Sequence, residues 1–249
     1  MSGHNRWTKI KRQKEALGAT KGKAFTKVIK EITVAARDGG GDPEANARLR
    51  AAIQAAKDVN LPKDNIERAI LKGTGELEGQ AYEEIAYEGY GPAGVALYVE
   101  CVTDNRNRTV GEVRHLFTKG NGNLAESGAV AWMFEHKALM ELPKEGLSEE
   151  RAMELCIEAG GEDVVDTGDT WEVQAGASDF HALLTGLEGL GHSPRNPRLE
   201  WIPKNTVKVS GEDVKKVLRL VSLLEESDDV QNVFANFDID DEEMEQATE

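Results

Sequence analysis

Nine of the first thirty residues are basic. They are Arg6, Lys9, Lys11, Arg12, Lys14, Lys21, Lys23, Lys27 and Lys30; with Glu15 as the one acid, the net charge is +8. Cations at such close intervals neutralise several phosphates of a polyanion and release the counterions condensed on it. Trp7 stands among them, in Gly3-His4-Asn5-Arg6-Trp7-Thr8-Lys9-Ile10-Lys11-Arg12-Gln13-Lys14. An indole stacked on an unpaired base contributes ~1–3 kcal/mol. The same composition also fits a solvated charge run with Trp7 packed against a helix, and the residues alone leave both readings open. A second group, Asp104-Asn105-Arg106-Asn107-Arg108-Thr109, reads as a loop opening onto a helix. Arg106 and Arg108, set with Asn105 and Asn107 beside helix-terminal amides, suit a phosphate or carboxylate. The local reading stands beside it: the Asn residues make the turn and the Arg residues pair with acids of the same chain.

Other chemistries find less support. Gly89-Tyr90-Gly91-Pro92-Ala93-Gly94 has G-x-G-x-x-G spacing, but the strand-like Val95-Ala96-Leu97-Tyr98-Val99 follows where a dinucleotide site needs a helix. A hairpin turn is the better reading. Gly18…Gly22-Lys23-Ala24 is one residue short of a P-loop and has no Ser or Thr for magnesium. His4, His115, His136, His181 and His192 are scattered, without metal-ligand spacing. No cofactor or metal is implied. An enzyme acting on a phosphorylated substrate at Asn105–Thr109 is a remote alternative to a non-catalytic binding protein.

The 249 residues carry a net charge of −15. Residues 1–80 hold 16 Lys/Arg and 10 Asp/Glu, a net +6, so the remaining 169 carry −21. That division suits a local polyanion-binding arm on a body that phosphate repels elsewhere. The length favours two or three domains with separate cores. Apolar runs such as Gly94 to Val99 are too short to span a bilayer, and no apolar stretch follows the basic N-terminus as in a secretory signal. Cys101 and Cys156 lie far apart, as buried free thiols of a reducing cytoplasm do. The chain is therefore expected to be cytoplasmic, off the membrane, and is taken as a monomer.

The periodicity supplies the elements. Phe25, Val28, Ile29, Ile32 and Ala36 follow a helical spacing that Gly39-Gly40-Gly41 ends. Asp42-Pro43 reads as a helix start, with Leu49, Ala52, Ile53, Ala56 and Val59 on one face. A third helix uses Ile66, Ala69 and Ile70 and stops at Gly73. Three short helices imply a small bundle. Strands are expected over 82–88, 94–103 and 129–134, with a helix over 109–119 capped by Thr109…Glu112. Strand 138–142, helix 148–159, strands 162–166 and 170–175, helix 178–189 and strand 198–202 follow a βαββαβ order, which is ferredoxin-like. Helix 211–225, capped by Ser210, and strand 230–237 return to complete the domain begun at 82. Residues 238–249 hold seven acids and no base and read as a frayed, solvated tail.

These stretches together resemble the YebC family of bacterial regulators, which includes the PmpR type and a mitochondrial translational activator of cytochrome oxidase. The likeness runs through Gly3-His4 with Trp7, Lys23-Ala24-Phe25-Thr26-Lys27, Gly39-Gly40-Gly41-Asp42-Pro43 and Asn46-Ala47-Arg48-Leu49-Arg50. It continues in Tyr87-Glu88-Gly89-Tyr90-Gly91-Pro92, Asp104–Thr109 and Asp228-Asp229-Val230-Gln231-Asn232-Val233. Asn5-Arg6 stands where the family often has Ser-Lys, and the charge is kept. The resemblance implies an α+β protein of three domains: an N-terminal three-helix bundle, then two α/β (ferredoxin-like) sandwich domains, the third inserted in the second. The expected boundaries are 1–78 for the arm and helical domain, 79–136 with 206–240 for the second, 137–205 for the inserted one, and 241–249 for the acidic tail.

The resemblance also implies a regulator of gene expression, either a DNA-binding transcriptional regulator or a ribosome-associated translation factor. The short arm, the acidic body and the want of a helix-turn-helix pair with a basic recognition helix lean toward ribosomal RNA. Arg48 and Arg50 keep duplex DNA in play. The expected nucleic-acid contacts are His4, Arg6, Trp7, Lys9, Lys11, Arg12, Lys14, Lys21, Lys23, Lys27, Arg48 and Arg50, with Asn105, Arg106, Asn107 and Arg108 as a possible second anion site.

Overall fold

The computed structural model describes residues 21–79 and 81–248. It is an α+β fold in which helices come first and antiparallel sheets follow. Helix α1 spans Lys21–Gly39, α2 Ala47–Asp58 and α3 Lys63–Thr74. The start of α2 differs from expectation. Asp42 makes a turn, its carboxylate accepting from the Glu44 N–H at 3.0 Å, and the cap is Asn46. The Asn46 Oδ1 accepts from the Leu49 N–H at 3.0 Å, while its Nδ2 donates to the carbonyls of Ala35 at 2.8 Å and Gly40 at 2.9 Å. One buried amide thus closes α1 and opens α2, which a remote partner decides and local pattern does not. Gly73 does not stop α3. A Cβ there would lie 2.3 Å from the Thr33 carbonyl oxygen and 2.7 Å from the Ala36 Cβ, so glycine permits the close approach to α1. The stop is Gly75, at φ +81°.

The chain divides into two compact units: one of residues 21–30, Gly79–Glu135 and 202–248, the other of Glu31–Glu78 and His136–Trp201. In the first, strands β1 (Glu83–Tyr90), β2 (Ala96–Thr103), β3 (Asn123–Leu124) and β9 (Val230–Ala235) form a sheet in the order β3-β1-β2-β9. The late strand does return to the early sheet: β2 and β9 are antiparallel, with Leu97 opposite Ala235 and Val99 opposite Val233. Helices α4 (Arg106–Lys119) and α7 (Glu212–Glu225) supply Val113, Phe117, Val217, Leu220, Val221 and Leu224 to the core that Leu97, Val99 and Cys101 line from the sheet. Period-2 alternation places those three strand residues on one face.

Four expectations fail in this unit. Thr109 does not cap α4; the cap is Asn105, whose Oδ1 accepts from the Arg108 N–H at 3.0 Å. Residues 129–134 are not a strand, because Ala131–Met133 forms a 3-10 turn whose first amide a side chain engages. Ser210 does not cap α7, which starts after Gly211 at φ +61° with no side-chain cap. The acidic tail is not wholly frayed. Phe237–Asp238 (β10) pairs in parallel with Val207–Lys208 (β8), and helix α8 (Asp241–Thr248) buries Met244 completely in the core. One well-placed methionine outweighs the charge run around it.

In the second unit, β4 (Phe134–Pro143), α5 (Glu149–Glu158), β5 (Asp163–Asp166), β6 (Thr170–Gly176), α6 (Phe180–Gly189) and β7 (Arg195–Pro203) follow in order. Their sheet runs β5-β6-β4-β7, the split βαβ arrangement of a ferredoxin-like fold. Ser148 caps α5 as read from sequence. Met140, Leu142, Trp171, Val173, Leu155, Leu183 and Leu187 form the core, and Ala47 of α2 joins the same cluster. The alternating positions Glu141 and Glu172 face the other side of the sheet. There, with Glu200, they surround the Arg198 guanidinium at 3.2, 2.5 and 2.8 Å.

Candidate nucleic-acid interface

The basic residues that the structure describes are largely engaged by the protein's own acceptors. Lys23, Lys27 and Lys30 recur at helical spacing on α1. The Lys23 ammonium donates to the Glu226 carbonyl at 2.8 Å and that of Lys27 to the Glu225 carbonyl at 2.7 Å. These are orphan carbonyls at the negative end of α7, which cations stabilise. Lys30 is buried and donates to the carbonyls of Val102 at 3.0 Å and Asp228 at 2.8 Å and to the Asp229 carboxylate at 2.7 Å. The stripe therefore docks α1 onto the end of α7 within the first unit.

Asp229 is the centre of this cluster. Its second oxygen accepts from the Arg108 guanidinium at 2.7 Å, with the hydroxyls of Thr109 at 2.8 Å and Thr103 at 3.3 Å. Burial would raise its carboxyl, but the hydrogen bonds from Arg108, Lys30 and Thr109 more than offset this and hold it down at about 2. Arg108 also reaches Asp104 at 2.9 Å. Of the expected anion site, then, Arg108 is held by two carboxylates and Asn105 caps the helix, while Arg106 and Asn107 stand exposed. In the second unit Arg48 pairs with Glu31 at 2.7 Å and Asp38 at 3.5 Å, and Arg50 lies 3.5 Å from Glu188. Lys21 opens α1. His4, Arg6, Trp7, Lys9, Lys11, Arg12 and Lys14 lie outside the described residues.

Sequence reasoning passed over a second polar centre. Glu88 on β1 is buried, and its carboxylate accepts three backbone N–H groups, from Gly128 at 2.6 Å, Val130 at 2.7 Å and Ala131 at 2.8 Å. Burial raises this carboxyl, and the three amides outweigh it and leave it below the ordinary glutamate range. A glutamate inside a strand carries no local sign of such a role. Glu88→Gln puts an NH2 group against amide donors and should cost about 2 kcal/mol in denaturant unfolding. Exchange of the Gly128, Val130 and Ala131 amide hydrogens should quicken well beyond that of the β1–β2 ladder. Uniform quickening would count against a local role.

Among the described residues, no group of His, Cys, Asp and Glu is arranged to hold a metal ion, and no helix is long and apolar enough to cross a membrane. Cys101 and Cys156 are free and buried; burial pushes the Cys101 thiol up to about 12, far from a reactive thiolate.

A helical N-terminal segment, a sheet completed by a late strand and an intervening βαββαβ unit define the class to which this protein belongs. The model of the TACO1/YebC N-terminal domain matches residues 5–76 and that of the TACO1/YebC second and third domain matches residues 82–237. The chain belongs to the TACO1/YebC family. It is 56% identical over 242 residues to a probable transcriptional regulatory protein of Myxococcus xanthus, covering 97% of each chain. A protein of the same description from Desulfotalea psychrophila is 54% identical over the full length of both. The crystal structure of a conserved hypothetical protein from Aquifex aeolicus superposes with a TM-score of 0.79 at 48% identity, covering 90% of this chain and 92% of that one.

Proposed function

We propose that this protein is a non-catalytic, nucleic-acid-binding regulator of gene expression whose N-terminal segment makes the principal contact with phosphate. The segregation of charge carries the reading: +8 in residues 1–30 of a chain whose net charge is −15. Lys23, Lys27 and Lys30 are engaged within the protein. The external contact is therefore assigned to His4, Arg6, Trp7, Lys9, Lys11, Arg12 and Lys14, and regulation of gene expression agrees with the description that the relatives carry. The target favoured is ribosomal RNA, since the acidic remainder repels an extended duplex and Arg48 is already paired with Glu31 and Asp38. Promoter DNA is the second reading, favoured by the relatives' description as transcriptional regulatory proteins.

Deletion of residues 1–20 should abolish RNase-sensitive co-sedimentation with ribosomes and leave the melting temperature of the remainder within a few degrees. Co-sedimentation that survives the deletion would remove the arm from the interface. A gel shift on one promoter sequence that persists against excess non-specific DNA at physiological salt would decide for the second reading.

A further inference from the structure

Trp132 is the only exposed Phe, Tyr or Trp among the described residues, with 65% of its surface accessible. An indole in water forgoes the burial that normally holds it in a core. Yet this one is fixed in place. Its Nε1–H donates to the Ala129 carbonyl at 3.0 Å, and that oxygen also accepts from the Tyr90 hydroxyl at 3.1 Å. The flanking amides of Val130 and Ala131 are held by the buried Glu88 carboxylate. With its one donor satisfied internally, the indole has its ring faces left to offer.

A basic residue is anchored to the same turn through its backbone. The Lys204 N–H donates to the Met133 carbonyl at 2.9 Å, which sets this exposed lysine against the residue that follows Trp132. The exposed residues that flank it in the chain are polar or glycine: Glu126, Ser127 and Gly128 before the turn, Glu135 after it and Asn205 next to Lys204. A protein-binding hot spot needs a ring of contacts that exclude water around its anchor. A lone, pre-ordered aromatic face, with an exposed lysine on the segment paired to its turn, instead suits the two halves of a nucleotide, base on ring and phosphate on ammonium. Glu126 and Glu135 limit the phosphates tolerated nearby, so the contact is with a single nucleotide.

We propose that Trp132 and Lys204 form a stacking site for one unpaired nucleobase and its phosphate. It is a second contact with the nucleic acid that the N-terminal segment engages, and to that extent it rests on the function proposed above.

The test uses the full chain and short labelled single strands of mixed sequence, RNA and DNA in separate arms, with a duplex of the same sequence as control. Trp132→Ala should weaken single-strand binding at least about five-fold, the lower end of what one base–aromatic stack is worth. Duplex binding, where the bases are already stacked, should be unchanged. A loss confined to RNA or to DNA would assign the sugar. Lys204→Gln should reduce the slope of log affinity against log salt by about 0.7, the share of one single-strand phosphate. Trp132→Phe keeps a ring without the Nε1 anchor and should fall between wild type and Trp132→Ala, which keeps the test decisive should the alanine variant melt early. Wild-type affinity of Trp132→Ala for both single strands would overturn the proposal, as would an unchanged salt slope for Lys204→Gln. A further variant with Lys9, Lys11, Arg12 and Lys14 changed to Gln separates the two readings. If it binds normally while Trp132→Ala does not, the arm fails and the stacking site stands; the reverse result sinks the stacking site alone.

Discussion

Asp229→Asn should lower the stability of the chain by about 3 kcal/mol at neutral pH, measured by denaturant unfolding. The side chain is nearly inaccessible, and the Lys30 ammonium it neutralises is 7% exposed. Removing one partner of such a pair leaves a buried charge without its counterion, which typically costs 3–5 kcal/mol. The low end applies because Lys30 keeps two carbonyl acceptors, from Val102 and Asp228, and Arg108 keeps Asp104. Arg108→Ala should cost less, about 1 kcal/mol or below, because its guanidinium is half exposed and water screens the pair.

The pH dependence has a definite sign. The folded carboxyl of Asp229 sits at about 2, below the ~3.9 of an unfolded aspartate. Stability from this group is therefore fully present above the unfolded value and is lost as pH falls through the folded one. The gap between wild type and Asp229→Asn should be constant from neutral pH to about pH 5 and should narrow steadily below that. A gap that stays constant down to pH 2 would show that the carboxylate charge is not what stabilises the cluster.

Arg198→Met should be at least as costly, about 4 kcal/mol. Arg198 is the shared cation of Glu141, Glu172 and Glu200, of which Glu172 and Glu200 are 4% and 8% exposed. The guanidinium fork serves all three at once, whereas methionine matches its length and supplies no charge. Three carboxylates on one sheet face then repel each other with little water to screen them. A double variant, Arg198→Met with Glu172→Gln, should recover part of the loss. Without recovery, the arginine's role would be packing of its apolar stem.

The two predictions bear differently on what the amino-acid pattern reveals. The ferredoxin-like unit is legible because its signals are local: Ser148 caps α5, Gly168 with φ at +97° turns β5 into β6, and apolar residues alternate along the strands. The helix boundaries that mislead do so where two candidate caps compete. Asp42 and Thr109 both have the chemistry of a cap, and both lose to an asparagine: Asn46 is fixed by the Ala35 and Gly40 carbonyls, and the Thr109 hydroxyl is drawn to Asp229 while Asn105 caps locally. Gly73 looks like a stop and is a crossing point, since a stop and a close approach call for the same residue. The burial of Met244 within an acidic run has no signature that survives averaging over the run. In the candidate interface, the Lys23, Lys27 and Lys30 spacing marks one face of a helix but does not say what lies opposite it.

Charge segregation is a sum over residues and needs no structure: the basic start and the acidic remainder are properties of the chain as written. So are the amphipathic periods that commit it to helices followed by sheets, because they arise between near neighbours. The tertiary structure decided which cations are engaged within the protein. Lys30 meets Asp229 across 199 residues of chain, and Glu88 meets the Val130 amide across 42. Pairs so distant form only when both elements are folded, and the low-dielectric surroundings that make them strong exist only there.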